Sequence, residues 1–294
     1  MISTRRIEAN GLSFTIDEAG AGDDVALLLH GFPESRLAWR RQMPVLAELG
    51  WRVVAPDMRG YADSSRPEGV KAYHVDHLAA DVAALFDALG AKRRLLIGHD
   101  WGGMVAWAAA AMKVTPLDGL IVMNAPNPGV YGKLVKRSLS QMMASWYVMF
   151  FQIPGLPEAA LKANGARAIV KSFTNNIADP AAVPPGVLEA YRTNILKPGV
   201  ATTMINYYRA NTDMVWNNSL KQKVTAPTLL IWGEKDFALH IKNTEGNEQF
   251  VDDFTLARIP GASHWVQYDA AEQVNQAMIK WLRTHGLAHE RAAA

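Results

Sequence analysis

The hexapeptide GHDWGG (98–103) contains Asp100 at a position from which its side chain could take part in a reaction. It follows the apolar run 95–97 and precedes an alanine-rich stretch that ends at Met112, so the sequence predicts a strand, a turn and a helix. Glycines two positions before and after Asp100 permit a tight turn and close packing of the helix on the sheet. A carboxylate is ionised at neutral pH, which makes Asp100 a candidate nucleophile. The simpler alternative is a helix N-cap.

A second turn is expected to supply hydrogen-bond donors to the same site. His-Gly-Phe-Pro (30–33) follows directly on the apolar run 25–29. A sharp strand–turn–helix connection of this kind is called an elbow. In folds built around an elbow, one backbone N–H of the oxyanion hole comes from the turn after an early strand, and another comes from the residue after the nucleophile. We therefore predict an oxyanion hole formed by the N–H groups of Phe32 and Trp101. Pro33 would fix the turn, at a position that admits a cis peptide bond.

Position along the chain indicates one histidine as the base and leaves two candidates for the acid that orients it. The chain has eight histidines, and His264 lies after the last predicted strand and before the last predicted helix, where the order nucleophile, acid, histidine places the base. His240 is the rival, but it follows its strand by a longer stretch. The acid that orients the histidine should follow the strand 228–232, and Asp236 and Glu234 are both candidates.

The elements needed to position these residues are indicated by alternating strand and helix signals. Repeated strand–helix units predict an α/β protein with a mostly parallel central sheet and helices on both faces. Strands are expected at 12–17, 25–29, 52–55, 95–97, 120–123, 228–232 and 254–259, and helices at 36–49, 74–89, from the elbow to 112, and at about 269–283.

The pattern changes between residues 126 and 216. Strand signals vanish, eight of the fifteen prolines fall here, and aromatic pairs occur at 146–147 and 207–208. This composition predicts short helices separated by proline breaks. The predicted organisation is an α/β core (1–125 and 217–294) interrupted by an inserted helical cap (126–216).

Amino-acid composition limits the kinds of partner and functional site that this chain can have. The 30 basic and 28 acidic residues give a net charge of +2, which favours neither nucleic acid nor an anionic membrane as a partner. The absence of cysteine excludes disulfides, thiolate zinc sites and cysteine nucleophiles. The N-terminal MISTRRIEANG lacks an apolar run behind its charges, and the longest apolar stretches are about half a membrane span. We expect a cytoplasmic protein without a membrane partner, metal or organic cofactor.

Five motifs, in chain order, resemble those of the epoxide hydrolases of the α/β-hydrolase superfamily: HGFPES, DMRGYADS, GHDWGG, WGEKDF and GASHW. The resemblance extends over almost the whole chain and implies the α/β-hydrolase fold. It further implies Asp100 as the nucleophile and His264 as the base. For the orienting acid it implies Asp236 rather than Glu234.

The resemblance also implies a pair of cap tyrosines that donate protons. The segment beginning at Tyr147 and the segment NYYRAN (206–211) resemble the two tyrosine segments of the family, with Tyr208 at the matching place. Successive helical residues point about 100° apart, so Tyr207 and Tyr208 cannot both face one pocket. The alternative is that these tyrosines are aromatic members of the cap core.

Together these residues predict a two-step hydrolysis of a small apolar epoxide. Asp100 displaces the ring oxygen, the tyrosines protonate it, and an ester forms. Water activated by His264 then attacks the ester, and the backbone donors hold the oxyanion. The oligomeric state stays open, with a homodimer as the candidate assembly. Substrate contacts are expected from an apolar set comprising Phe32, Pro33, Trp39, Trp101 and Met149.

Two other classes of function compete with this hypothesis: dehalogenation and non-catalytic ligand binding. Haloalkane dehalogenases resemble this elbow and hold halide with a tryptophan at the place of Trp101. However, Phe32 stands where many of them have a halide-binding asparagine, and a tyrosine pair has no role when halide leaves. Fluoroacetate dehalogenases show an arginine after the nucleophile, where this chain has Trp101. A non-catalytic, ligand-binding relative would usually lack a member of the triad, whereas this chain retains all three.

Overall fold

A computed structural model describes residues 1–138, 143, 146–214 and 216–288. These residues form one eight-stranded sheet. Its strands are β1 (Ser3–Ala9), β2 (Leu12–Ala19), β3 (Asp24–Leu29), β4 (Arg52–Pro56), β5 (Arg93–His99), β6 (Gly119–Met123), β7 (Thr228–Gly233) and β8 (Phe254–Ile259). Their spatial order is β1-β2-β4-β3-β5-β6-β7-β8.

The predicted mostly parallel sheet is confirmed. The strands from β4 across to β8 pair in parallel, and the antiparallel pairs are β1 with β2 and β2 with β4. Residues 25–29 of β3 and all of β6 are buried, as parallel strands are when helices cover both faces. This buried centre is a rigid base for the loops at its carboxyl edge.

The helices lie around this sheet and in a segment between β6 and β7. None of those built from the described residues combines the length and apolarity needed to cross a membrane. The core helices are α1 (Met43–Glu48), α2 (Val75–Ala88), α3 (Trp101–Ala111), α9 (Val266–Asp269) and α10 (Ala271–Thr284); the inserted helices are α4 (Pro128–Val135), α5 (Trp146–Phe150), α6 (Leu156–Asn176), α7 (Val187–Leu196) and α8 (Val200–Ala210).

Two elements differ from the sequence prediction. Strand β1 was not expected, because it lies at the sheet edge with mostly exposed side chains and so has no apolar alternation. The single helix predicted over 36–49 is wrong. It is a 3₁₀ turn (Arg36–Trp39) followed by α1, and Pro44 lies in the first turn of α1, where a missing N–H is tolerated.

The turn between β5 and α3 is a sharp elbow, as predicted. Asp100 has φ 50° and ψ −120°, an uncommon conformation for a residue other than glycine. A Cβ at Gly98 would overlap the carbonyl oxygen of Gly102, and a Cβ at Gly102 would overlap that of Leu29. The absence of side chains at these two positions is therefore what allows the helix to start so close to the sheet.

The elbow lies at a point where the chain changes direction across the sheet. From the central strand β3 the chain passes to β4 on one side and then to β5 on the other. In open α/β sheets, ligand sites form beyond the carboxyl ends of the strands at such a switch point. Gly31 follows β3 and Asp100 follows β5, so the two predicted turns meet there.

The inserted helices are fastened to the core by buried hydrogen bonds from α8 and the residue after it. The Thr203 hydroxyl donates to the carbonyl of Gly60 at 2.5 Å, and the Asn211 amide donates to that of Tyr73 at 2.9 Å. Phe173 of α6 stacks on Trp265, with ring centroids 4.0 Å apart. The predicted helical insertion is thus present between β6 and β7, while its limits at 126 and 216 stay a prediction.

Replacing Gly102 with alanine should destabilise the protein by about 3 kcal/mol or more, because the new methyl group meets rigid backbone. Gly186→Ala is the matched control: φ is 80° there, but no atom lies within 4 Å of the added Cβ. That change should cost about 1 to 2 kcal/mol. Urea unfolding measures both. Equal free-energy losses for the two variants would show that close approach is not what requires glycine at 102.

Candidate active site

Three residues from three different loops meet at the carboxyl edge of the sheet. His264 Nδ1 lies 2.7 Å from Asp236 Oδ2, and His264 Nε2 lies 3.7 Å from Asp100 Oδ2. Asp236 and His264 are almost fully buried, whereas the Asp100 side chain is 17% exposed. The histidine thus stands between a buried carboxylate and one that faces open space.

The carboxylate of Asp100 is held as an anion. Its Oδ1 accepts a hydrogen bond from the backbone N–H of Phe32 at 2.7 Å. Burial by itself raises the pKa of Asp100, but hydrogen bonding and charge from His264, with the Phe32 N–H, outweigh burial and lower it below its usual value. Trp101 is the first residue of α3, so its N–H has no partner within the helix. Both predicted oxyanion donors therefore adjoin Asp100.

The imidazole of His264 carries the opposite shift. Burial alone lowers the pKa of His264, but the charge of Asp236 and the contacts with Asp100 and Asp236 raise it well above its usual value. Two carboxylates stabilise the protonated form of His264, so removing the charge of either one should lower the pKa of the ring.

The two candidate acids occupy different environments. Glu234 forms an ion pair with Arg258 at 2.7 Å near the surface. Asp236 contacts His264, and its other oxygen accepts the backbone N–H groups of Ala238 and Leu239 at 2.8 and 2.9 Å. The structure therefore brings Asp236, and not Glu234, to the histidine.

Sequence reasoning missed the residue that holds Asp236. Asn124, directly after β6, donates to Asp236 Oδ2 at 2.8 Å and accepts the N–H of Gly233 at 2.9 Å. It is fully buried and has φ 41°. The only sequence signal is an asparagine directly after an apolar strand. Asparagine tolerates a positive φ, and its side chain can form hydrogen bonds with nearby backbone groups.

A buried polar network beneath the triad was also missed. His99 Nδ1 lies 2.9 Å from Glu34 Oε2, and its Nε2 lies 2.9 Å from the backbone carbonyl of His264. Because a carbonyl oxygen only accepts, Nε2 donates to it. Gln267 donates to Glu34 Oε1 at 2.8 Å. This network links the loop of His264 to the elbow. The only sign of it in the sequence was the charged residue Glu34 within the HGFPES motif.

A cavity of about 570 Å³ opens above Asp100. That volume suits a small organic ligand. Apolar side chains dominate its walls, and tyrosines from the inserted helices line it together with Asp100. The lining residues are Asp100, Trp101, Met104, Ala125, Pro126, Pro128, Tyr131, Val135, Lys136, Tyr147, Val148, Met149, Tyr208, Asn211, Thr212, Met214 and Leu239.

Tyr147 and Tyr208 face this cavity as a pair. Their rings meet edge to face, with centroids 5.8 Å apart, and Tyr208 meets Trp101 in the same way at 5.0 Å. Burial raises the pKa of both tyrosines well above 10, and the negative charge of Asp100 adds to the shift. Both phenols therefore keep their protons at neutral pH.

Tyr207 points away from the cavity, as the helical angle requires. It is fully buried, and its hydroxyl donates to the carbonyl of Arg59 at 2.8 Å. Tyr208 lines the cavity instead, where its side chain has a hydrogen bond with the side chain of Trp101. The adjacent tyrosines thus have separate positions, one in the interface with the core and one at the cavity.

The expected substrate contacts divide into two groups. Trp101 and Met149 line the cavity. Phe32 packs its ring against Tyr208 at 5.6 Å, and Pro33, joined to it by a cis peptide bond, is buried; neither lines the cavity. Trp39 is fully buried within the core, so its expected contact with substrate is wrong. The 3₁₀ turn that holds Trp39 packs against β2, β3 and β4, which the sequence alone did not reveal.

Comparisons with known proteins agree with this architecture. A family model described as the alpha/beta hydrolase fold matches residues 25–271. The AB hydrolase superfamily protein YfhM of Bacillus subtilis is 34% identical, covering 94% of this chain and 96% of its own. Epoxide hydrolase 4 of Mus musculus is 36% identical, covering 95% and 78%. The crystal structure of epoxide hydrolase A from Mycobacterium thermoresistibile superposes with a TM-score of 0.83 at 31% identity, covering 96% and 98%.

The fold and the site define an α/β hydrolase. Within that class, the chain belongs to the family that contains the epoxide hydrolases. The predicted fold and the family resemblance are both confirmed.

Replacing Asp236 with asparagine should lower the pKa of His264, because the negative charge that favours the imidazolium is removed. Glu234→Gln is the matched control, since it removes a carboxylate from the same loop that is paired with Arg258. Titration of the His264 ring nitrogens by ¹⁵N NMR measures the change. Equal changes in the pKa of His264 in the two variants would contradict the contact between Asp236 and His264.

Proposed function

We propose that this protein hydrolyses small apolar epoxides to vicinal diols through an ester on Asp100. The observation that carries the proposal is that one apolar cavity is lined by an ionised carboxylate and two protonated tyrosines. A carboxylate opens a strained ring faster when the departing oxygen is protonated, and phenols in the same cavity suit that task. The named relatives support the same activity.

In the first step, Asp100 attacks a ring carbon from the side opposite the departing oxygen. No separate base is needed, because the carboxylate is already ionised. Tyr147 and Tyr208, at 5.8 Å between ring centroids, would share the ring oxygen and protonate it as the bond breaks. Such general acid catalysis is typically worth a factor of about 10² to 10⁴. The product of this step is a hydroxyalkyl ester.

The second step hydrolyses that ester. Esterification removes the charge of Asp100, and with it one of the causes that raise the pKa of His264. The ring can then release its proton, which returns through solvent to the tyrosine ionised in the first step, and act as a base toward water, oriented by Asp236 at 2.7 Å. Attack on the Asp100 carbonyl forms a tetrahedral oxyanion, for which Phe32 and Trp101 supply N–H groups. Collapse of this intermediate breaks the bond between the Asp100 carbonyl carbon and the substrate oxygen. That oxygen takes a proton from His264 and leaves as the second hydroxyl of the diol, and Asp100 returns to a carboxylate by giving the remaining proton of the water to His264. The first step therefore prepares the base for the second.

Haloalkane dehalogenation is the nearest alternative, because it also begins with an aspartate nucleophile beside a tryptophan. The position of Phe32 disfavours it: this side chain packs against Tyr208 and Phe151 and offers no donor for a halide. The two phenols would also have no leaving oxygen to protonate. Halide release from haloalkanes, with epoxides left intact, would favour the dehalogenase.

His264→Gln should arrest the reaction after the first step. Incubation with styrene oxide should then leave a covalent adduct on Asp100, because the ring can still open but the ester lacks a base. Intact-protein mass spectrometry followed by peptide mapping detects the adduct. The wild type should release phenylethanediol and show no lasting adduct. Absence of both diol from the wild type and adduct from the variant would refute the proposal.

Replacing both Tyr147 and Tyr208 with phenylalanine should slow ring opening by a factor of at least about 10². Single-turnover measurement of ester formation isolates this step. Tyr207→Phe is the matched control: it removes a neighbouring hydroxyl that bonds to Arg59 and should cost about 1 kcal/mol of stability while ring opening continues. A double variant that opens the ring at the wild-type rate would remove the tyrosines from the mechanism.

A further inference from the structure

The two helices that carry the cavity tyrosines are held to different degrees. Tyr208 lies on α8, in which eight of the eleven residues are buried and Thr203 and Tyr207 bond to the core. Tyr147 lies on α5, where all five residues (146–150) keep part of their surface exposed. Elements with few buried contacts are the ones that open most easily. The position of Tyr147 therefore depends on what holds the ends of α5.

Arg209 joins these two helices. It follows Tyr208 directly in α8, and its Nε donates to the backbone carbonyl of Phe151 at 2.9 Å, while its Nη2 donates to that of Ile153 at 2.8 Å. Both carbonyls lie just after the end of α5. A guanidinium presents its donors in one rigid plane. Two bonds from this side chain therefore fix the direction of the segment after α5 as well as its distance from α8.

The Glu158 carboxylate holds the guanidinium in this orientation. Glu158 lies in the first turn of α6 and accepts hydrogen bonds from Arg209 Nη1 at 2.5 Å and Nη2 at 3.2 Å. The two side chains are only 14% and 10% exposed. Burial raises the pKa of Glu158, but the hydrogen bonds and the charge of Arg209 outweigh burial and lower it below its usual value. The pair is therefore ionised at neutral pH.

Other contacts between α8 and the segment after α5 are less directional. The ring of Phe151 packs against that of Tyr208, with centroids 4.8 Å apart, and the Gln152 amide lies 3.4 Å from the Tyr208 carbonyl. Apolar packing has no preferred direction, and a hydrogen bond of that length is weak. Arg209 is therefore the contact that sets how α5 lies against α8.

We propose that Arg209 is a positioning residue for ring opening, because it keeps the ring of Tyr147 beside that of Tyr208 by holding the end of α5. The inference rests on the proposed function, in which these two phenols protonate the departing oxygen. Arg209 does not line the cavity, so it would act only through Tyr147. A misplacement of about 1 Å costs a factor of about 10² in rate. Ring opening should thus depend on Arg209, whereas ester hydrolysis, which uses His264, should not.

Single-turnover measurements with styrene oxide separate the two steps. Arg209→Met should slow formation of the Asp100 ester by a factor of about 10 to 100 and change ester hydrolysis by no more than about twofold. In a Tyr147→Phe background, adding Arg209→Met should slow ester formation no further, because changes that act through one group are not additive. A further loss of about tenfold in that background would show a general structural effect and overturn the inference.

Arg209→Lys keeps a charge opposite Glu158 but cannot bridge the two carbonyls, so it should retain the fold and still slow ester formation. Arg192→Met is the matched control for Arg209→Met. Arg192 pairs with Glu189 at 2.5 Å and donates to the carbonyl of Gly165 at 2.7 Å, so its partners lie in α6 and α7. This variant loses a guanidinium with the same kinds of partner and should form the ester at the wild-type rate. Equal slowing in the two methionine variants would argue against a specific role for Arg209.

NMR keeps this inference separate from the proposed activity. With ¹³C-labelled tyrosine, the wild type should show a nuclear Overhauser effect between the rings of Tyr147 and Tyr208, whose centroids are 5.8 Å apart. Arg209→Met and Arg209→Lys should lose this signal, and Arg192→Met should keep it. If styrene oxide is hydrolysed but the signal or the rate of ring opening survives in Arg209→Met, only the positioning role is wrong. If the signal depends on Arg209 but no epoxide is opened by the wild type, only the proposed activity is wrong.

Discussion

The close approach of α3 to the sheet is the constraint on which the site depends. Gly102 lies so near the carbonyl of Leu29 that even a methyl group would overlap it. This contact starts the helix directly after β5 and holds Asp100 at φ 50°. A carboxylate in that position receives the N–H of Phe32 and faces the cavity rather than the sheet. One packing contact between backbones therefore sets the orientation of the Asp100 carboxylate.

Buried polar groups then fix what surrounds the elbow. Asn124 directs Asp236 toward His264, and His99 ties the backbone of His264 to the Glu34 carboxylate. Burying such groups is costly unless each has a partner, so their mutual bonds favour one arrangement of the loops. The proposed chemistry needs that arrangement, because the base must reach an ester that forms on a different loop.

The inserted helices complete the site from the other side. Tyr207 bonds to the core, and this bond turns its neighbour Tyr208 toward the cavity. The same helices supply apolar walls.

The sequence by itself determined seven of the eight strands, the helical insertion, the elbow and the residues Asp100 and His264, because glycine spacing, apolar runs and chain order are local signals. The family resemblance favoured Asp236 over Glu234 and Tyr208 over Tyr207. Only the tertiary structure shows the separate partners of these residues and the position of Trp39 in the core. It also disclosed Asn124 and Glu34. Each of these outcomes depends on a partner distant in the chain, and no pattern within one segment records which distant atoms will meet.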